Sequence, residues 1–163
     1  MSTRGKIKVD SFYLKKVKKL PYIDKPHINI PVSWKCYPKE CLQHLEFGDK
    51  DMKDNNYEWR KALQPKNAKY AGYLFSKLMP GNIVPKHRDH FESFSSYYNV
   101  PVESVKRRLV FLEDWKPGHY FQVNEEVFIK WSAGDWVEWT ADEEHFGGNI
   151  GEEPRYILQI TYC

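Results

Sequence analysis

Two histidines and one aspartate are the residues whose types and spacing point most directly to chemistry. His87 and Asp89 stand two positions apart, and His87 directly follows the segment GNIVPK at 81–86. If the chain enters a strand there, alternate side chains share a face, so the imidazole and the carboxylate project together. His145 lies much later in the chain, beside a Gly-rich stretch, and supplies a third ligand. Two imidazoles and a carboxylate cover one face of an octahedral ion, as in ferrous sites with three open positions, whereas zinc would not use those positions.

Arg155 begins the terminal segment RYILQITY, ten residues after His145. Its guanidinium is permanently charged and planar, which suits bidentate contact with a carboxylate. At the rim of a metal site it would hold the far carboxylate of a dicarboxylate whose other end chelates the metal. The residues therefore predict a site for iron(II), 2-oxoglutarate and O2.

Each of these residues also has an ordinary structural explanation. His87 and Asp89 would then lie in a turn and form an exposed ion pair with a neighbouring basic residue. Hydrogen bonds or ion pairs with nearby glutamates would explain His145 and Arg155. The order of all four residues along the chain favours the metal site over these separate explanations.

Composition limits the class of protein. The chain has 163 residues, a net charge of +3, 41% hydrophobic and 16% aromatic residues, which is enough apolar material for one folded domain. The three cysteines are an odd number without metal-finger spacing, so we expect free thiols in a reducing, cytoplasmic compartment. We expect neither a signal peptide nor a membrane span, because no apolar run is long enough. The weak positive charge makes nucleic acid a possible partner that is not favoured.

Short strands dominate the predicted secondary structure after residue 70. Segments bounded by Gly or Pro recur at short intervals, which is typical of an antiparallel sandwich or jelly roll. The predicted strands are 70–79, 107–113, 119–123, 127–131, 135–139 and 155–162, with a loop at 140–154. Before residue 70 we expect a basic strand or arm at 1–20, edge strands at 21–38, including 27–30, and two short helices within 39–64.

The order His87-x-Asp89, His145, Arg155 resembles the iron(II)/2-oxoglutarate-dependent dioxygenase superfamily. More narrowly, the block from RRLVFLEDWKPGHYF to RYILQITY is similar to short oxygenases of bacteriophages and marine bacteria, related to the aspartyl/asparaginyl β-hydroxylase branch. The resemblance covers about residues 70–163. It implies an all-β fold with minor α, a cupin-like double-stranded β-helix at 70–163, and flanking strands and short helices at 1–69 of a single domain spanning 1–163.

The resemblance also assigns roles to individual residues. It implies His87, Asp89 and His145 as iron ligands and catalytic centre, and Arg155 as the anchor of 2-oxoglutarate. Arg107 matches a second co-substrate contact of the β-hydroxylase branch, with Arg108 as the alternative. Many members carry Ser or Thr at the position of Ile157. Another hydroxyl would therefore have to complete the carboxylate site, and the candidates are Thr161, Tyr73 and Tyr156.

The implied reaction is hydroxylation of a C–H bond, with release of succinate and CO2. The β-hydroxylase resemblance favours a peptidyl or protein side chain, namely Asp, Asn or Pro, as substrate. A nucleobase or small-metabolite hydroxylase is the alternative enzyme, and a non-catalytic cupin-like binding module is the alternative from another class. Trp139, six residues before His145, is the tryptophan that we expect nearest to the site. The sequence leaves the oligomeric state open.

Overall fold

The computed structural model describes residues 3–25, 31–52 and 55–163. In this part of the chain, eleven strands and two short α-helices are connected by 3-10 helices and turns. The strands are β1 (Thr3–Lys6), β2 (Ile23–Asp24), β3 (Leu45–Gly48), β4 (Ala71–Leu78), β5 (Ile83–His87), β6 (Lys106–Phe111), β7 (His119–Val123), β8 (Glu126–Phe128), β9 (Asp135–Trp139), β10 (His145–Asn149) and β11 (Arg155–Tyr162). The helices are α1 (Ser11–Lys18) and α2 (Glu92–Tyr98), and the 3-10 helices are Val32–Trp34, Lys39–Leu42, Asp49–Asp51, Asn55–Leu63 and Val102–Ser104. None of the helices described here is long and apolar enough to cross a membrane.

The strands form two antiparallel sheets that pack face to face. The larger sheet has the order β1-β9-β6-β11-β4-β3-β2, and the smaller sheet has the order β5-β10-β7-β8. Phe111 on β6 contacts Phe121 on β7 with ring centroids 6.1 Å apart, so aromatic side chains fill the space between the sheets. This arrangement is the cupin-like double-stranded β-helix, or jelly roll, and the predicted fold class is confirmed.

The larger sheet is apolar on both faces, and each face packs against a different partner. On β11, Leu158 and Ile160 belong to the outer core, together with Tyr13 and Val17 of α1. Ile157, on the opposite face, belongs to the inner core between the sheets. Strand alternation therefore directs odd-numbered residues of β11 toward the interior, where the candidate site lies.

The sequence prediction was wrong at the 140–154 loop. β10 occupies residues 145–149 of that segment and lies between β5 and β7 in the smaller sheet. Adjacent glycines weaken the strand pattern, which explains why the segment resembles a loop. The predicted strand at 127–131 is also shorter and shifted, because β8 ends at Phe128 and Lys130 has a positive φ of 56°.

The N-terminal part differs more from the prediction. The basic 1–20 segment contains the helix α1, which begins after Asp10, whose carboxylate accepts a hydrogen bond from the Tyr13 amide at 2.8 Å. Within 39–64 the expected two helices are replaced by 3-10 helices and the strand β3, which joins the larger sheet. β2 is one edge strand found within 21–38, whereas the predicted strand at 27–30 lies outside the described residues.

Candidate metal centre

The two histidines meet because their strands are hydrogen-bonded neighbours. β5 and β10 pair antiparallel with His87 directly opposite His145, and their ring centroids lie 4.1 Å apart. Asp89 follows β5 by two residues and turns its carboxylate toward both rings. One potential ligand atom from each of the three residues lies within 4.8 Å of the others. The structure thus brings together the three residues that the sequence predicted as ligands.

Backbone carbonyls orient both imidazoles. Nδ1 of His87 lies 2.8 Å from the Pro85 carbonyl oxygen, and Nδ1 of His145 lies 3.4 Å from that of Glu143. A carbonyl oxygen only accepts hydrogen bonds, so each Nδ1 must donate, and in the neutral form of either ring Nε2 keeps its lone pair. The Nε2 atoms of His87 and His145 lie 3.9 and 3.6 Å from the Asp89 carboxylate oxygens. This is the tautomer and orientation in which imidazoles bind a metal ion.

Two donors fix the Asp89 carboxylate. Arg107 donates from Nη1 to Oδ1 at 2.8 Å, and Trp139 donates from Nε1 to Oδ2 at 3.0 Å. Burial would raise the pKa of Asp89, but the positive charge of Arg107, together with His145 and the Trp139 hydrogen bond, holds that pKa below its usual range. The prediction that Trp139 lies near the site agrees with this contact.

Burial shifts the pKa of His145 downward, whereas it would raise that of Asp89. It lowers the pKa of His145 to about 4, although the Asp89 charge acts in the other direction. At neutral pH the carboxylate is therefore ionised and this imidazole is neutral. Both are then in the forms that coordinate a metal ion.

A cavity of about 390 Å³ adjoins the three candidate ligand residues between the two sheets. Leu109, Phe121 and Ile157 are apolar parts of its wall, and the Arg155 side chain also lines it. The residue Arg155 is only 4% exposed, and it lies at the first position of β11. The three candidate ligands and a buried cation thus share one cavity, and the roles that the sequence predicts for them remain predictions.

The guanidinium of Arg155 has no anionic partner among the described residues. Nη1 donates to the carbonyl oxygen of Tyr120 at 2.6 Å, whereas Nε is buried without a hydrogen-bond partner. Burial lowers the pKa of Arg155 to about 10, so the group remains charged at neutral pH. An uncompensated buried charge is costly, which makes this part of the cavity suited to an anion.

The choice between Arg107 and Arg108, which the sequence left open, is narrowed by the positions of the two side chains. Arg108 lies on the outer face of the larger sheet, where it pairs with Glu138 at 2.9 Å and stacks on Trp136. Arg107 lines the cavity, but its described polar contacts are Asp89 and Thr161. The role of Arg107 as a second contact to 2-oxoglutarate remains a prediction.

The hydroxyl candidates expected near Ile157 are engaged elsewhere. Thr161 accepts from Arg107, the Tyr73 hydroxyl donates to Gln64, and the Tyr156 ring packs near that of Tyr22. Ser76, which was not predicted from the sequence, lies directly opposite Ile157 on β4 and lines the cavity. Register between distant strands gives Ser76 this position, and no local motif signals it.

Comparisons with known proteins identify the fold of the chain but do not identify its family. No protein-family model and no curated protein matches the chain. The chain is similar in structure to an oxidoreductase of the 2OG-Fe(II) oxygenase family from Burkholderia pseudomallei, with a TM-score of 0.62, 10% identity and coverage of 94% of this chain and 80% of that one. It is also similar to a Pseudomonas putida prolyl-4-hydroxylase, with a TM-score of 0.55, 12% identity and coverage of 78% and 74%.

A further neighbour has a different description. A putative sugar phosphate isomerase from Acidithiobacillus ferrooxidans gives a TM-score of 0.51 at 11% identity, covering 91% of this chain and 72% of that one. At these identities the likenesses establish the double-stranded β-helix fold alone. Any choice of reaction must therefore rest on the residues of the site.

Mn(II) titration tests the candidate metal centre. We expect the chain to bind one equivalent of Mn(II), and Asp89→Ala or His145→Ala to raise the dissociation constant at least about tenfold, because loss of a ligand exceeds the usual effect of losing an outer partner. Isothermal calorimetry measures the change. His90→Ala is the control, since His90 is exposed and outside the ligand group. Equal losses in His90→Ala and Asp89→Ala would contradict the assignment.

Proposed function

We propose that the chain is an iron(II)- and 2-oxoglutarate-dependent dioxygenase that hydroxylates a C–H bond of a peptidyl or protein side chain. The observation that carries this proposal is one cavity that holds both the His87, Asp89 and His145 ligand group and the Arg155 cation, which has no anionic partner among the described residues. Membership of the dioxygenase superfamily is part of the proposal. The closer relation to the aspartyl/asparaginyl β-hydroxylase branch remains a prediction from the sequence.

The donor set fits iron(II). Two neutral imidazoles and an ionised carboxylate are the ligands of ferrous sites that keep open positions for other molecules. The Pro85 and Glu143 carbonyls orient the histidines, and Arg107 with Trp139 orients the aspartate. Outer contacts of this kind raise metal affinity because the ligands are held in position before the ion arrives.

The lining of the cavity supports a dicarboxylate co-substrate that would bind the metal at one end and Arg155 at the other. Arg155 offers a buried, charged donor group with no carboxylate of the described chain against it. Gly147, whose hypothetical Cβ would lie 2.9 Å from Nη2 of Arg155, leaves room for the guanidinium at this position. Ser76 adds a hydroxyl to the same wall. These features support 2-oxoglutarate as co-substrate.

When bound, iron(II) and 2-oxoglutarate would supply the oxidation of a C–H bond by O2, with release of succinate and CO2. The residues of the chain then have positioning roles. Arg107 and Trp139 keep Asp89 ionised and oriented, and Arg155 orients the co-substrate. Leu109 and Phe121 limit the access of water to the reacting atoms.

The first test is turnover. We expect iron(II)-loaded protein to convert 2-oxoglutarate to succinate in air, and peptides containing Asp, Asn or Pro to increase the rate. NMR spectroscopy quantifies succinate, and mass spectrometry detects the oxygen atom added to the peptide. Asp89→Ala should abolish turnover while circular dichroism shows an unchanged fold. Succinate formation at the wild-type rate in Asp89→Ala would refute the ligand assignment.

The second test addresses the Arg155 contact. We expect Arg155→Ala to weaken 2-oxoglutarate binding while Mn(II) binding is kept. Gly147→Ala should raise the dissociation constant of 2-oxoglutarate about tenfold, because the added methyl group displaces Nη2 and weakens a charged hydrogen bond. Calorimetry on Mn(II)-loaded protein measures both.

Gly148→Ala is the matched control for that experiment. Its Cβ would meet its nearest atom, in the Phe146 ring, at 3.5 Å, which is an ordinary contact. We therefore expect nearly unchanged affinity for 2-oxoglutarate. Wild-type affinity in both Gly147→Ala and Arg155→Ala would overturn the assignment of Arg155 as anchor.

A further inference from the structure

A buried glutamate lies in the cavity wall away from the metal ligands. Glu46 is on β3, directly opposite Ser76 of β4, and its side chain is 15% exposed. It belongs to a chain segment in which the sequence showed no functional motif. Its carboxylate has no role in the mechanism proposed above, although burying it is unfavourable without a compensating partner.

Glu46 also lies where two cavities meet. A second cavity of about 570 Å³ shares wall residues with the first, and these are Lys25, Glu46, Leu74 and Arg107. Phe91 and Phe94 line only the second cavity, whereas the three metal ligands line only the first. A molecule that extends from the second cavity to the metal therefore passes Glu46. The combined space accommodates a peptide segment rather than one isolated group.

The cations nearest to this junction are already paired. Lys25 contacts Asp51 at 2.6 Å, and Arg107 contacts Asp89 at 2.8 Å. Within the described parts of the chain, no lysine or arginine forms an ion pair with Glu46. Its described ion-pair contact is Nε2 of His44, at 3.0 Å.

The electrostatic surroundings leave the Glu46 carboxylate incompletely compensated. Burial raises the pKa of Glu46, while the more distant charges of Lys25 and Arg107 oppose the increase. A cationic group from a ligand would form a charge-assisted hydrogen bond in a partly dehydrated setting. Such contacts favour cationic ligands over neutral ones of the same shape.

We propose that Glu46 determines substrate specificity by binding the ammonium or guanidinium group of a lysyl or arginyl side chain. This inference rests on the proposed function, because it takes the substrate to be a peptide. The cationic residue would flank the hydroxylated one, so that its side chain reaches Glu46 while the neighbour reaches the metal. Phe91 and Phe94 would contact the part of the peptide in the second cavity.

A peptide panel tests the proposal on Mn(II)- and 2-oxoglutarate-loaded protein. The probes are acetylated pentapeptide amides with Asn, Asp or Pro at the centre and Lys, Arg, Gln or Glu on both sides. By calorimetry, we expect the Lys and Arg peptides of the best-binding set to bind at least about tenfold more tightly than the Gln peptide. The Glu peptide should bind most weakly. Equal or tighter binding of the Gln or Glu peptides, or no binding of cationic peptides, would overturn the proposal.

Variants identify the residue responsible. Glu46→Gln keeps the shape and removes the charge, so the preference for Lys and Arg should fall to within about twofold of the Gln peptide. Glu46→Asp should keep a reduced preference. Glu103→Gln is the matched control, because Glu103 is exposed and lines neither cavity, so it should leave the preference intact. Persistence of the full preference in Glu46→Gln, or its loss in Glu103→Gln, would contradict the assignment.

The role of Glu46 and the dioxygenase activity can fail separately. Calorimetry with peptides does not depend on turnover, and succinate formation does not depend on the peptide side chains. If succinate is formed and cationic peptides show no advantage, the role of Glu46 is wrong while the dioxygenase proposal stands. If cationic peptides bind through Glu46 and no succinate is formed, the dioxygenase proposal is wrong while the role of Glu46 in peptide binding stands.

Discussion

The pairing of β5 with β10 is the constraint on which the candidate site depends. It places His87 opposite His145, and the short extension after β5 brings Asp89 to both rings. Without this register, the two imidazoles would not face each other. A shift of one residue in either strand would turn a ligand away from the cavity, since alternate side chains point to opposite faces.

The buried charged groups of the cavity differ in how far neighbouring groups compensate them. This difference determines which ligands the cavity favours. Asp89 is compensated by Arg107 and by the Trp139 hydrogen bond, so it remains ionised beside two imidazoles. Within the described residues, in contrast, Arg155 has no carboxylate partner and Glu46 has no lysine or arginine partner. The first is suited to an anion, as the proposed co-substrate is, and the second to a cation, as the proposed substrate side chain is.

The sequence predicted the parts of the site that depend on local pattern. Alternation predicted His87 and Asp89 on one side of a strand, but β5 ends at His87 and the extension after it carries Asp89. The order of residues indicated that His145 belongs with them. It did not predict β10 as a strand, because glycines hide the alternating pattern, although Gly147 makes room for Arg155. Ser76 and Glu46 were missed because only the register between distant strands brings them to the cavity.

The most direct test of the proposed function is an anaerobic titration of iron(II)-loaded protein with 2-oxoglutarate, followed by visible absorption. We expect a weak metal-to-ligand charge-transfer band that saturates at one equivalent and is absent in His145→Ala. Such a band requires the keto acid to chelate the metal through two oxygens. A protein that binds iron(II) without developing this band would contradict the proposed use of the cavity and favour a cupin that uses its metal differently.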